Sequence, residues 1–230
     1  MNKTLVIGTG TGGIGDTFVE LWVQENVGMV GETLYTPNIN RLDVTDEMNI
    51  ERYIEENGPF AEIVYSAGIQ KLQWAHEIET FELRNIFEVN VFGFILLVGA
   101  HVAMYPESEL RVAVVVSDAA EKPMRTSTAY CASKAALAMS VKTLARELAP
   151  AAIIVGVSPG VVEGTGMTRQ LEEDIPATRN WTKDQARAYE NSGSVLGRRI
   201  TQDEVAEALM FALRGPEALN GSIITLNGGN

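Results

Sequence analysis

Apolar residues in this chain come in short runs, each followed by a longer stretch with helical spacing. Residues 5–7 precede a helical pattern over 14–25. A weaker run at 32–36 leads almost directly to another at 39–43, and a polar helix is predicted at about 47–57. Residues 62–65 precede a long apolar helix at about 80–104, and residues 112–116 an alanine-rich helix at about 127–149. Residues 153–157 lead into an irregular stretch and a helix at about 202–213, and residues 222–226 form the last run. This alternation predicts βαβ units: an α/β fold with a doubly wound parallel sheet in three αβα layers, one domain over residues 1–230. Thr201 with Glu204, and Thr182 with Gln185, have the spacing of capping boxes and mark two helix starts.

The run Val112-Ala113-Val114-Val115-Val116 has no polar alternation, as expected of a central strand buried on both faces. Open α/β sheets bind ligands beyond the carboxyl ends of their strands. Small, polar, Gly and Pro residues gather just there: Gly8-Thr9-Gly10, Asp43, Ser66-Ala67-Gly68, Ser117, Ser158-Pro159-Gly160 and Asn227-Gly228-Gly229. Each is also compatible with an ordinary turn. The first of them continues as Gly8-Thr9-Gly10-Thr11-Gly12-Gly13-Ile14-Gly15, where Gly8, Gly10 and Gly13 satisfy G-x-G-x-x-G between a strand and a helix. Such a loop lets backbone N–H groups and the helix dipole face a pyrophosphate. A nucleotide-hydrolysing P-loop is excluded, because Asp16 stands where that motif needs lysine.

Composition narrows the partners. Eighteen Lys and Arg against thirty Asp and Glu leave a net charge of −12, which repels a nucleic-acid backbone or an anionic membrane. One cysteine, Cys131, and two histidines, His76 and His101, are too few for a disulfide or a structural zinc site, and no metal is expected. The low-polarity stretch at 91–100 is shorter than the roughly 20 residues a bilayer span needs. The apolar start of the chain meets glycines before an export core forms, so the cytoplasm is the expected location.

Tyr130 and Lys134 lie four apart in a strongly helical segment and so share a face. Bringing a phenol from ~10 to ~7 takes about 4 kcal/mol. A unit charge at ~4 Å in an effective dielectric of ~20 supplies about that much, before desolvation takes some back. Ser117 lies 13 positions before the tyrosine, at the end of the buried strand. Asn90 shares its helix face with Phe87, Phe94 and Leu97, which turns its amide inward, where it needs partners.

With these pieces in order, the chain resembles the short-chain dehydrogenase/reductase family nearly throughout. The resemblance rests on the loop ending Gly13-Ile14-Gly15, Leu42-Asp43-Val44-Thr45-Asp46, Ala67-Gly68, Asn90-Val91, Ser117, Tyr130 with Lys134, Pro159-Gly160, and the closing glycines from Gly221 to Gly229. It implies a single Rossmann-like domain binding NAD or NADP and moving hydride between the nicotinamide and a carbonyl or alcohol substrate. By position, Tyr130 would be the general acid or base at the substrate oxygen and Ser117 would hydrogen-bond that oxygen. Lys134 would hold the nicotinamide ribose and depress the tyrosine pKa, and Asn90 would support a water in the proton path. The cofactor would lie along Gly8, Gly10, Thr11, Gly13 and Ile14, with Asp43 and Val44 at the adenine. Ala67 and Gly68 would follow, and Pro159, Gly160, Val162 and Thr165 would stand near the nicotinamide.

The chain departs from that pattern in three places. Gly8-Thr9 stands where Thr-Gly is usual, and Tyr65-Ser66-Ala67-Gly68 replaces the family's Asn-Asn-Ala-Gly. Only 27 positions separate Gly15 from Leu42, so the second crossover helix is expected to be missing, and with it the acidic residue that separates NAD from NADP. Residues 161–200 correspond to a substrate lid, in which Met167, Leu171, Trp181 and Tyr189 either line an apolar pocket or pack short helices. The reading is an NAD(P)-dependent oxidoreductase; its alternative is a dinucleotide-binding sensor or scaffold without turnover. A homodimer or homotetramer through the two long helices is expected.

Overall fold

The computed structural model describes residues 2–191 and 194–229. Its strands are β1 (Asn2–Ile7), β2 (Glu32–Tyr35), β3 (Glu62–Tyr65), β4 (Leu110–Val115), β5 (Ala152–Pro159) and β6 (Ile223–Leu226). All pairings are parallel, in the order β2-β1-β3-β4-β5-β6, with Leu5 opposite Tyr35 on one side and Ile63 on the other. α1 (Ile14–Glu25) connects β1 to β2 and α2 (Glu47–Asn57) connects β2 to β3. α3 (Thr80–Phe87) and α4 (Gly93–Met104) precede β4, and α5 (Thr128–Glu147) precedes β5. α6 (Gly166–Arg179), α7 (Lys183–Asn191) and α8 (Gln202–Arg214) precede β6. The chain runs from β1 outward to β2 and returns to β3, so the strand order reverses between β1 and β3, and the crevice opens beyond their carboxyl ends.

Period-two alternation sorts the strand side chains into two cores. Leu5, Ile7, Ile63 and Tyr65 face α2, α4 and α5, where Ile50, Ile54, Phe94, Leu97, Leu137 and Val141 meet them. Val6, Val64, Ala113 and Val155 face the opposite way, against Phe18 and Trp22 of α1 and Val205 and Leu209 of α8. Each fully buried Leu, Ile or Phe contributes about 1.5–3 kcal/mol, so two cores hold the sheet from both sides. The three layers and the parallel sheet match the sequence reading. Both capping boxes form as well: Thr201 and Glu204 exchange hydrogen bonds at the start of α8, and Thr182 and Gln185 at the start of α7.

The structure differs from the sequence pattern in three places. Residues 39–43 form turns rather than a strand, because Asn38 O accepts from both Arg41 N and Leu42 N, closing the chain among Pro and Asn. No helix lies between β2 and α2, as the short spacing implied. The long apolar helix is interrupted by a π-helical turn, Glu88–Phe92, centred on Asn90. The stretch read as irregular contains α6 and α7, whose apolar contacts reduce to a small cluster of Leu72, Ile175 and Ala186 with Leu171 and Trp181. So few buried positions leave little periodicity to read.

By length and composition alone, Thr80–Met104 suffices to cross a bilayer. In the fold Phe94, Leu97, Val98 and His101 of this segment are fully buried. His101 Nε2 accepts the N–H of Phe60 at 2.9 Å, and burial pushes its pKa down to about 4.

Candidate active site

The glycine loop leaves β1 through Gly8 at φ +92°, where an added Cβ would lie 2.6 Å from the backbone N of Ala67. The close approach of the β1 and β3 ends therefore requires glycine at this position. Ser66 Oγ donates to the carbonyl of Ile7 at 2.6 Å, and Tyr65 Oη donates to the carbonyl of Val89 at 2.6 Å. The two residues that replace the family's asparagines thus tie β3 to β1 and to the π turn. Asp16, in the first turn of α1, accepts from the backbone N–H groups of Gly10, Thr11, Gly12 and Gly13 at 2.6–3.2 Å. Those bonds hold its carboxyl below the usual range against the opposing effect of burial.

The opposite wall comes from the end of β4 and the start of α5. Ser117 follows the buried strand, and its Oγ accepts from Ala119 N at 3.2 Å. Tyr130, in the first turns of α5, is buried and lines the same cleft as Ser117. Lys134, one turn later, sends Nζ to the carbonyl of Val115 at 2.9 Å and stands 5.8 Å from the tyrosine ring centroid. Burial dominates both groups: the phenol is pushed up to about 12 despite the help of Ser117, and the ammonium is pushed down to about 7. The expected depression of the phenol by Lys134 is not found in this geometry. The charge meant to supply it is itself desolvated and aimed at a carbonyl.

Asn90 is fully buried on the π turn. It closes a two-way bond with Ile69, Oδ1 accepting from Ile69 N at 2.8 Å and Nδ2 donating to Ile69 O at 3.0 Å, while Nδ2 also reaches Ser133 Oγ at 3.0 Å. It sits behind Gly68, where an added Cβ would come within 3.5 Å of Lys134 Nζ and 3.6 Å of Asn90 Oδ1. Gly68 therefore keeps the floor of the cleft low over the lysine.

A cavity of about 480 Å³ joins these parts. It brings together the predicted Gly8, Thr11, Gly13, Ile14 and Gly68, the reactive set Ser117, Tyr130 and Lys134, and Pro159, Gly160, Val162 and Thr165. Gly10, Asp43, Val44, Ala67 and Asn90 do not line it. Asp43 instead accepts from Thr45 N and Oγ1, at 2.9 and 2.8 Å. Of the lid residues, Met167, Leu171 and Tyr189 reach the cavity, whereas Trp181 meets Tyr189 edge to face at a centroid distance of 5.2 Å. The sequence reading missed Asp118, Lys122 and Arg179, which also line the cavity. Asp118 carried a readable signal, its position directly after Ser117. Arg179 carried none, because it is brought in by α6, where it bonds Thr126 Oγ1 at 3.2 Å.

The donors present fit a nicotinamide dinucleotide: backbone N–H groups converge on an anion at one end, and a buried ammonium stands beside glycine at the other. Comparison with known proteins agrees. The family model for short chain dehydrogenases matches residues 3–176. The 2,3-dihydro-2,3-dihydroxybenzoate dehydrogenase specific to vibriobactin, from Vibrio cholerae, is 27% identical over 84% of this chain and 76% of its own length. The L-2,3-butanediol dehydrogenase of Corynebacterium glutamicum is 28% identical over 82% and 76%. A small-chain dehydrogenase solved with NADPH superposes with a TM-score of 0.82 at 22% identity, covering 99% of this chain and 97% of that one. Relatives named as dehydrogenases favour turnover over the sensor or scaffold alternative. With the ordered motifs, the parallel sheet and a family match over most of its length, the chain belongs to the short-chain dehydrogenases and is an NAD(P)-dependent oxidoreductase.

Proposed function

We propose that this oxidoreductase interconverts a small vicinal diol and its hydroxy ketone, with Tyr130, Ser117 and Lys134 at the reacting oxygen. The observation that carries the reading is that buried Tyr130 and Ser117 line one cleft together, with a buried lysine one turn on. NAD or NADP supplies or accepts the hydride when bound. Tyr130 gives a proton to the carbonyl oxygen in reduction, and burial, which keeps its phenol protonated across neutral pH, suits that role. Ser117 orients the same oxygen. Lys134 holds the ribose hydroxyls, and Asn90 fixes the backbone at Ile69 and the start of the proton path.

Two observations support a diol. Asp118, buried beside Ser117 and 3.8 Å from Lys122, presents a carboxylate to the cavity that can accept from a second hydroxyl. The two relatives described above are named for diols or dihydrodiols. We further propose one dinucleotide-binding domain over residues 1–230 with residues 161–200 as its lid, acting in the cytoplasm without nucleic acid or membrane. Assembly as a homodimer or homotetramer would use α4 and α5, where Phe92, just before α4, and Met139, on α5, are exposed.

The test is a panel of vicinal diols, their hydroxy ketones, and plain secondary alcohols and ketones, with each dinucleotide. Preference for the diol pair is expected, to be lost in Asp118→Ala, with turnover abolished in Tyr130→Phe. Equal rates on plain alcohols would refute the diol assignment. Undiminished turnover in Tyr130→Phe would refute the catalytic one.

A further inference from the structure

The motif that excluded a P-loop leaves an unusual arrangement in a dinucleotide site. All four consecutive loop amides, from Gly10 to Gly13, donate to one side chain: Gly10 to Asp16 Oδ1, and the other three to Oδ2. A run of backbone N–H groups at a helix N-terminus is where a phosphate oxygen binds in this fold. The carboxylate occupies those donors as a phosphate would, in a loop whose Gly8, Thr11, Gly13 and Ile14 line the cleft. Two anions cannot share one set of donors without strong repulsion. The carboxylate hangs on a rotatable side chain and the donors belong to the backbone, so the carboxylate is the group able to leave.

A cation stands across the loop. Arg169, in the first turn of α6, donates from Nη1 to the carbonyl of Gly164 and from Nη2 to that of Thr11, at 2.5 and 3.4 Å. Its Nη2 lies 3.6 Å from the position a Cβ would take on Gly12. Among the described residues it forms no ion pair and is held by these carbonyls. A guanidinium held only by carbonyls is poised to take phosphate oxygens.

We propose that Asp16 is a built-in competitor for the pyrophosphate of the dinucleotide, holding the loop donors until that anion displaces it, and that Arg169 is the cation that meets the phosphates there. The arrangement couples the lid to the cofactor, since Arg169 belongs to α6 and Thr11 to the loop. It rests on dinucleotide binding, which family membership supplies.

The experiment is calorimetric titration of NADH, NADPH and ADP-ribose, with adenosine as the probe lacking phosphate, into the wild-type chain, Asp16→Ala, Asp16→Asn and Arg169→Gln. Removing a competing charge, or an attracting one, is expected to change affinity about tenfold. Asp16→Ala tightens binding of the three pyrophosphate ligands, Arg169→Gln weakens it, and adenosine responds to neither. Asp16 also caps α1, so melting curves accompany each titration. If Asp16→Ala does not fold, Asp16→Asn decides alone, because its amide oxygen keeps part of the cap while its charge is gone. Folded Asp16 variants that bind no tighter than wild type, or an Arg169→Gln that binds as tightly, overturn the proposal. A wild type and variants all indifferent to every dinucleotide would overturn the NAD(P)-dependent reading together with it.

Discussion

Asn90 on the π turn and Ser133 on α5 are joined by a 3.0 Å hydrogen bond, which ties the interrupted helix to the helix carrying Tyr130 and Lys134. A regular α-helix would have carried residue 90 to a different angle, and π turns recur where a side chain must be aimed at a site. In Asn90→Ala the part-buried Ile69 N–H and carbonyl lose the fully buried side chain that bonds both. The loss is expected to be about 1–3 kcal/mol in denaturant unfolding. Turnover should fall further than the stability loss accounts for. Asn90→Leu would distinguish the two effects if it restored stability without restoring rate.

Lys134 makes stability depend on pH in a direction that follows from its burial. Its pKa is about 7 in the fold against 10.5 when exposed, so between those values the unfolded chain binds more protons. Stability from this group therefore rises with pH through that window, and below about 7 the full cost of the buried charge is present. Lys134→Met is expected to melt higher than wild type near pH 6, with the gap closing toward pH 10. A gap that widened on the alkaline side would contradict the burial account.

His101 acts on the acid side. Folded at about 4 against 6.5 unfolded, it binds fewer protons than the unfolded chain between those values, so stability falls as pH drops through them. Phe60 N–H needs an unprotonated Nε2, which gives the same sign. In His101→Gln, which offers that N–H an amide oxygen, the slope of unfolding free energy against pH should flatten by up to one proton over this range.

Gly8 tolerates no side chain. Alanine there adds left-handed backbone strain at φ +92° to a Cβ lying 2.6 Å from Ala67 N, and neither the strand end nor the loop has a flexible group to move aside. Overpacking alone costs about 1–3 kcal/mol. Gly8→Ala should melt well below wild type and lose dinucleotide affinity. Gly10→Ala, at a φ of +84° with open space around its Cβ position, should cost less.

How much of the site could be read ahead of the structure varied with sequence distance. Tyr130 and Lys134 share one helix face, where local periodicity placed them together, whereas Ser117, at a strand end, joined them through the family resemblance. Lys134 was read as the group that tunes Tyr130, whereas its ammonium bonds the Val115 carbonyl, a contact between helix and strand that spacing does not encode. Asp16 was visible only as the wrong residue for a P-loop, and its hold on four amides depends on how the loop folds over α1. α7 was marked only at its start, by the Thr182–Gln185 capping box, and α6 not at all, because both bury too few side chains to impose a period.

The order of strands and helices, the two-faced character of β4 and the shared face of Tyr130 and Lys134 were determined by the chain alone, because they arise from neighbours within about one helical turn or one strand. Tertiary structure decided which charges face one another, how deeply Tyr130 and Lys134 are desolvated, and that Asp16 and Arg169 meet at one loop. Those depend on segments more than a hundred residues apart being folded together, and both electrostatic strength and the cost of burial are set by that enclosure rather than by residue type.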